Sequence, residues 1–315
     1  MKNTKTFMFL LGLTLLFSCK KDNIDIERND DALKLNINLE GSLQNPAFSP
    51  DGKSIVFTCF RKGYNKPPSD LYLFNLETEE LTKLVSDGSS NVNLPGQSWN
   101  INTKTIIFSS DREPHDEIYY ISENQTSGNE IRLTNRSDSV AYEPSFSPGG
   151  DYIVFESHKL DEEAHGIITK YKFDGTSPYI KLTSETDDCR QPNWSPAENK
   201  ILYQKEENDR WDIWIMNTDG SGKQNITNFE GNKTDAVFSP DGTEIVFSYE
   251  NPDIKAANIY KTAVSGENPV RLTNFEGYDG APSVSPDGKK LAFESSPEED
   301  PNKSDGTSLW ILDLK

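Results

Sequence analysis

The sequence predicts an all-β fold, a six-bladed β-propeller with four antiparallel strands per blade. Three observations predict it. One unit recurs six times, its starts falling at residues 49, 100, 147, 195, 239 and 285, with spacings of 51, 47, 48, 44 and 46. Each unit carries four short apolar runs separated by turn signals, as a propeller blade does. The sixth unit stops after its third run, and a matching fourth run stands near the N-terminus.

The turn is the clearest part of the unit. Ser49-Pro50-Asp51-Gly52, Ser239-Pro240-Asp241-Gly242 and Ser285-Pro286-Asp287-Gly288 are three copies, with Ser147-Pro148-Gly149-Gly150 and Ser195-Pro196-Ala197-Glu198 as variants and a degenerate copy from Asn100. Pro presets φ, Asp caps locally and Gly accepts φ > 0. A first strand precedes each turn and ends in Phe48, Trp99, Phe146, Trp194, Phe238 or Val284. A second follows it and closes on an aromatic eight residues from the start: Phe57, Phe108, Phe155, Tyr203, Phe247 and Phe293. The third strands read LYLFNL (71–76), IYYIS (118–122), ITKYKF (168–173), IWIMN (213–217), IYKTAV (259–264) and LWILDL (309–314). Fourth strands are expected at Leu81-Thr82, Leu133-Thr134, Leu182-Thr183, Ile226-Thr227 and Leu272-Thr273.

The sixth fourth strand is expected at residues 33–40, where Leu33-Lys34-Leu35-Asn36 matches Ile131-Arg132-Leu133-Thr134. Asn36 lies 13 residues before the first turn, and the corresponding gaps in the following units are 18, 13, 12, 12 and 12. An N-terminal strand completing the last blade closes the ring and removes an open edge.

Composition agrees with thin layers. Apolar residues are 34% of 315, and the mean hydropathy is −0.70, low for one central core. The 16 Phe, 12 Tyr and 5 Trp favour strands and bury large areas. A net charge of −19 argues against nucleic acid, whose phosphates need clustered Lys and Arg.

The N-terminus reads as an address. Lys2 and Lys5 precede an apolar run at residues 7–17, too short for a hydrocarbon core of about 30 Å and suited to a secretion signal. The run ends in Leu16-Phe17-Ser18-Cys19, which resembles the lipobox of bacterial lipoproteins. The resemblance implies a signal peptide over 1–18, lipidation at Cys19 and a membrane anchor. Residues 19–32 then form a charged tether and 33–315 the propeller. Lys20-Lys21-Asp22 resembles the sorting signals of surface lipoproteins in the Bacteroidetes. The other cysteines, Cys59 and Cys189, fall in blades one and four, too far apart for a bridge that needs Cα atoms within about 7 Å.

The Ser-Pro-Asp-Gly turns, IY/IW third strands and LT fourth strands together resemble the WD-like repeats of TolB-type propellers. The resemblance implies an envelope protein without implying an activity, since such propellers host many. True TolB carries an extra N-terminal α/β domain, for which the dozen residues after Cys19 leave no room, so a TolB-like propeller is expected rather than TolB itself. The hydrolase domain of prolyl-oligopeptidase-type relatives has neither room nor its Gly-x-Ser-x-Gly motif.

Candidate sites follow from channel geometry. The start of each first strand opens at one mouth of the channel. Four positions before each turn stand Asn45, Gly96, Glu143, Gln191, Asp235 and Ala281, with Tyr142, Arg190, Tyr278 and Asp279 nearby. This polar, acidic ring is a candidate cation or sugar site. Trp211, in a loop beside Asp209 and Arg210, is a candidate surface aromatic. His115, His158 and His165 show no metal-ligating spacing, so neither metal nor cofactor is expected. The reading is a monomeric, non-enzymatic scaffold that binds a protein or a glycan in the cell envelope, facing the periplasm or the cell surface. The alternative is a carbohydrate-active lyase or glycosidase using Glu143 and Asp235 as acid and base.

Overall fold

A computed structural model describes residues 28–94, 98–160, 165–197, 199–254 and 256–314. Six antiparallel sheets follow one another around a ring. Blade one comprises Ser42–Phe48, Ser54–Phe60, Ser69–Asn75 and Leu81–Val85, from the channel outward. Blades three to five repeat it from Tyr142–Phe146, Asp188–Trp194 and Asn232–Phe238. In blade two the inner strand is split into Val92–Asn93 and Trp99–Asn100, both paired with Thr105–Ser110.

The turn serine closes each inner hairpin. Ser49 Oγ donates to Asp51 Oδ1 at 2.7 Å and accepts from Ser54 N at 3.0 Å, while Gly52 sits at φ 70°. The same pattern holds at Ser239 and Ser285, with Gly242 at 73° and Gly288 at 72°. The fourth-strand threonine has an equally local cause. Oγ1 of Thr134, Thr183, Thr227 and Thr273 accepts from the backbone N–H of Ile118, Ile168, Ile213 and Ile259, at 2.8–3.0 Å.

Blade one departs from the expected register. Thr82 pairs with Leu73 and Lys83 with Tyr72, as Ile131 pairs with Tyr120 and Arg132 with Tyr119 in blade two. The counterpart of Leu133-Thr134 is therefore Leu84-Val85, not Leu81-Thr82. The outlying 18-residue gap was the sign of that misplacement.

The N-terminal strand closes the ring. Leu33 pairs with Ile311 and Lys34 with Trp310, reproducing the register of blade two. The ladder is shorter than expected, covering Leu33–Lys34 and extended by Leu35 N donating to Leu309 O at 2.9 Å. Beyond it, Leu35, Ile37 and Leu39 pack against the core between blades six and one. Outer strands in blades two to six are two residues long, which leaves little unpaired edge.

The core is six separate layers. Each cluster lies between two successive blades: Val56 and Leu71 of blade one with Ile106 and Phe108 of blade two, and so on to Val246 and Ile259 of blade five with Leu291 and Phe293 of blade six. That distribution explains the low apolar content. Cys59 and Cys189 are buried free thiols, in separate layers, and burial pushes them up to about 11 and about 12.

Candidate functional site at the polar mouth

Every described inner strand that runs unbroken along the channel carries a bulge. Pairing shifts between Gln44 and Ala47, Tyr142 and Ser145, Arg190 and Asn193, Thr234 and Val237, and Gly280 and Ser283. The bulged residues Asn45, Glu143, Gln191, Asp235 and Ala281 all have positive φ, 46–55°. A bulge bends a strand and re-aims a side chain. Here it turns five side chains into the channel, around a cavity of about 290 Å³. Pro46, Pro144, Pro192 and Pro282 follow four of them, where a missing N–H does no harm to a ladder already interrupted. Gly96, the sixth position, lies outside the described residues, as does Cys19.

The ring is hydrogen-bonded sideways. Gln191 Nε2 donates to Asp235 Oδ1 at 2.9 Å and to Glu143 Oε1 at 3.3 Å, and Asp235 N donates to Gln191 Oε1 at 3.1 Å. Asn45 Nδ2 donates to Asn93 Oδ1 at 2.9 Å, and Asn45 N to Glu294 Oε2 at 3.0 Å. Tyr278 OH donates to Glu294 Oε1 at 3.2 Å and lies 3.2 Å from Tyr64 OH.

Of the predicted mouth residues, Asn45, Glu143, Gln191, Asp235 and Tyr278 line the cavity. Three do not. Asp279 is buried against Arg28, because the position two before each bulge (Leu43, Ala141, Cys189, Lys233, Asp279) points between blades. Arg190 is held by Asp188 at 2.8 Å and lies over the Trp211 ring at 5.2 Å. Trp211 is accordingly half-buried rather than a free surface aromatic. Tyr142 packs on His158, ring centroids 5.4 Å apart, beside Asp116, whose carboxyl burial pushes up to about 6.

A second polar ring escaped the sequence reading. The residue after each closing aromatic is Thr58, Ser109, Glu156, Gln204, Ser248 or Glu294, all buried. A polar residue breaking the apolar run at one position in six units was the available signal. Burial, then repulsion from Asp235, pushes Glu143 up to about 7. Burial pushes Glu294 up to about 8, with Asp235 adding to it. Burial and Glu143 raise Glu156 well above the ordinary carboxyl range. Tyr64 also went unseen. It sits in a loop of blade one and reaches Tyr278 of blade six edge-on, at 6.0 Å between centroids.

The channel is polar at one end only. Below the bulge ring it narrows between Asn193, Val237 and Pro282. The opposite mouth is lined by Phe48, Trp99, Phe146, Phe238 and the turn prolines. On the polar face a broad groove of about 800 Å³ joins the cavity at Tyr64, Gln191, Asp235 and Tyr278, and runs out past Glu250, Glu299, Asp300 and Lys303. Among the described residues, no three His, Cys, Asp or Glu side chains converge to hold a metal ion.

The family described as "TolB beta propeller domain" matches residues 17–237 and 172–302. A Tol-Pal system protein TolB of Francisella tularensis subsp. holarctica is 34% identical over 166 residues, 53% of this chain and 36% of that protein. The chain thus spans about a third of that relative's length. A structure of a putative TolB from Agrobacterium tumefaciens superposes with TM-score 0.63 at 17% identity, over 87% of this chain and 90% of that one. An oligogalacturonate lyase in complex with manganese superposes with TM-score 0.59 at 14% identity, over 92% and 96%. At those identities the likeness is one of fold.

Proposed function

The chain belongs to the TolB β-propeller family, and from that premise we propose that it is an exported, lipid-anchored scaffold of the cell envelope that binds a protein partner at its polar mouth. The observation that carries this reading is the asymmetry of the channel. Strained, bulged backbone is held at one mouth, where it aims five side chains at a common cavity. Strain of that kind persists where a site requires it. A groove large enough for an extended peptide leads into the cavity. The relatives are named as Tol-Pal system proteins, which supports an envelope location and a protein partner. The lipobox-like Leu16-Phe17-Ser18-Cys19 supports the anchor.

Photo-crosslinking in intact cells tests it. A photoreactive residue replacing the groove residue Lys303 is expected to give a discrete crosslinked protein. The same residue at Ile101, on the opposite mouth, is expected to give none. Equal crosslinking from both positions, or none from Lys303, would remove the polar mouth as the docking face.

One observation favours a second reading. A single amide, Gln191 Nε2, holds both Glu143 and Asp235, and the Glu143 carboxyl sits at about 7, where an acid and base pair for sugar chemistry operates. Turnover of a polysaccharide or glycoside that is lost in Glu143→Gln and Asp235→Asn would establish it. Turnover indifferent to both substitutions would exclude these residues.

A further inference from the structure

We propose that the central cavity is a receptor for an organic cation, an ammonium or guanidinium carried on a slender chain, as a lysine or arginine of the protein partner would present it. The inference rests on the polar mouth being the docking face and names what enters it.

The first ground is the accounting of donors and acceptors. The donors on the wall are used within it: Gln191 Nε2 serves Glu143 and Asp235, Asn45 Nδ2 serves Asn93, and Tyr278 OH serves Glu294. Asn65, Asn91 and Asn93 bring further amides to the wall, but the buried side-chain atoms left without a partner there are carboxyl and amide oxygens, together with the Ser248 hydroxyl, which can itself accept. Glu143 Oε2 has no partner. Neither does Oδ1 of Asn193, 4% exposed on the wall of the narrowing below the ring, nor Oε1 of Gln204, 7% exposed on the wall of the groove. Buried acceptors without donors are costly, so the complementary ligand is one that donates several hydrogen bonds. An anion or a carbonyl-rich group would leave those oxygens unpaired.

The second ground is charge. Glu143, Asp235 and Glu294 face the cavity and Glu156 lies just behind Glu143. Burial and mutual repulsion hold protons on Glu143, Glu294 and Glu156, and a cation placed among them favours their ionised forms and relieves that repulsion. Among the described residues, the cation beside these carboxyls is Arg190, which is engaged with Asp188 at 2.8 Å and lies 3.9 Å from Glu156. The groove adds Glu250, Glu299 and Asp300 against Lys303. Charge-assisted bonds from ammonium or guanidinium to carboxylate are about twice as strong as neutral ones, which separates this ligand from an uncharged polyol. Size separates it from a bare metal ion. About 290 Å³ accommodates a side-chain head and its stem, whereas a calcium ion asks for six to eight oxygens within about 2.6 Å.

The test is a titration of the purified full chain with agmatine, which carries both cationic groups on a four-carbon chain, read by calorimetry. n-Butylurea serves as the neutral counterpart and calcium chloride as the metal. The expected result is saturable agmatine binding, weakened on the order of 30-fold by Glu143→Gln, with no saturable uptake of butylurea. Asn193→Leu, which keeps every charge and removes one free acceptor, is expected to weaken binding more mildly, and it serves if Glu143→Gln fails to fold. No saturable agmatine binding, equal binding of butylurea, or saturable binding of calcium alone would each overturn the proposal. A crosslinked partner at Lys303 without agmatine binding sinks this inference and leaves the docking face standing. Agmatine binding without a partner does the reverse.

Discussion

Both oxygens of Asp279 are held by the guanidinium of Arg28, 251 residues away, at 2.9 and 2.8 Å. The same guanidinium grips Asp30 at 3.0 Å twice and lies against Phe275, Phe293 and Trp310 at 4.5, 5.1 and 4.8 Å. Arg28 stands five residues before the closing strand, so it pins the N-terminal segment to the blade which that segment completes. Removing one partner of a buried pair leaves an uncompensated charge, at a typical cost of about 3–5 kcal/mol. Arg28→Ala is expected to lose that much in urea unfolding, and Arg28→Met with Asp279→Asn to recover part of it. A loss below about 1 kcal/mol would show that the closing strand holds without its pin.

The fourth-strand threonines make a second prediction. Thr227 Oγ1 accepts from Ile213 N at 2.8 Å and lies 3.4 Å from Asp212 Oδ1, which also carries Lys233 Nζ at 2.6 Å. Thr227→Val keeps the shape and strands a buried N–H. The expected loss is about 1–3 kcal/mol, measured as a lowered urea midpoint at unchanged slope. An unchanged midpoint would mean that the hydroxyl is replaceable by water.

The blades were legible because their signals are local. A Ser-Pro-Asp-Gly turn bonds within six residues, so Ser49 and Asp51 declare it without help from the rest of the chain. Ring closure was legible for a related reason: Leu33-Lys34-Leu35 copies a pattern already present in blade two. Blade one misled because its fourth strand runs longer than the others, and a Leu-Thr pair happened to stand three residues early. The mouth was half legible. Counting back from the turn found the bulged positions. Which neighbours follow them into the channel depends on which way each side chain points, and that placed Asp279 wrongly. Tyr64 had no signal at all, since its partner Tyr278 belongs to a blade at the other end of the chain.

The raised carboxyls set a pH dependence of stability. Glu143 and Glu294 sit at about 7 and about 8 when folded, from an ordinary value of 4.5, and Glu156 is raised too. The folded state therefore holds more protons than the unfolded state across that interval, and stability falls as pH rises through it. The melting temperature is expected to be higher near pH 5.5 than near pH 8.5. Glu294→Gln, which keeps an acceptor for Asn45 N, should flatten the slope and raise the pH 8.5 value by roughly 3 °C or more. Identical slopes in the two proteins would mean that Glu294 is ionised in the folded state at neutral pH.

The bulges themselves are open to test at Ala281, the described ring position with no polar group to offer. Its φ of 47° is a conformation that costs an L-residue roughly 1–2 kcal/mol, and glycine escapes that cost while losing roughly 0.4–1 kcal/mol through its freer unfolded chain. Ala281→Gly is thus expected to stabilise by up to about 1 kcal/mol in urea unfolding, without moving any cavity residue. Gln191→Gly relieves the same strain, but it also removes the amide that holds Glu143 and Asp235 together, so it is expected to stabilise less or to destabilise. If both substitutions gained equally, the Gln191 network would contribute nothing to the fold. The carboxylates at the mouth would then be held apart by backbone alone, and the ring would owe its geometry to the bulges rather than to the bonds between its side chains.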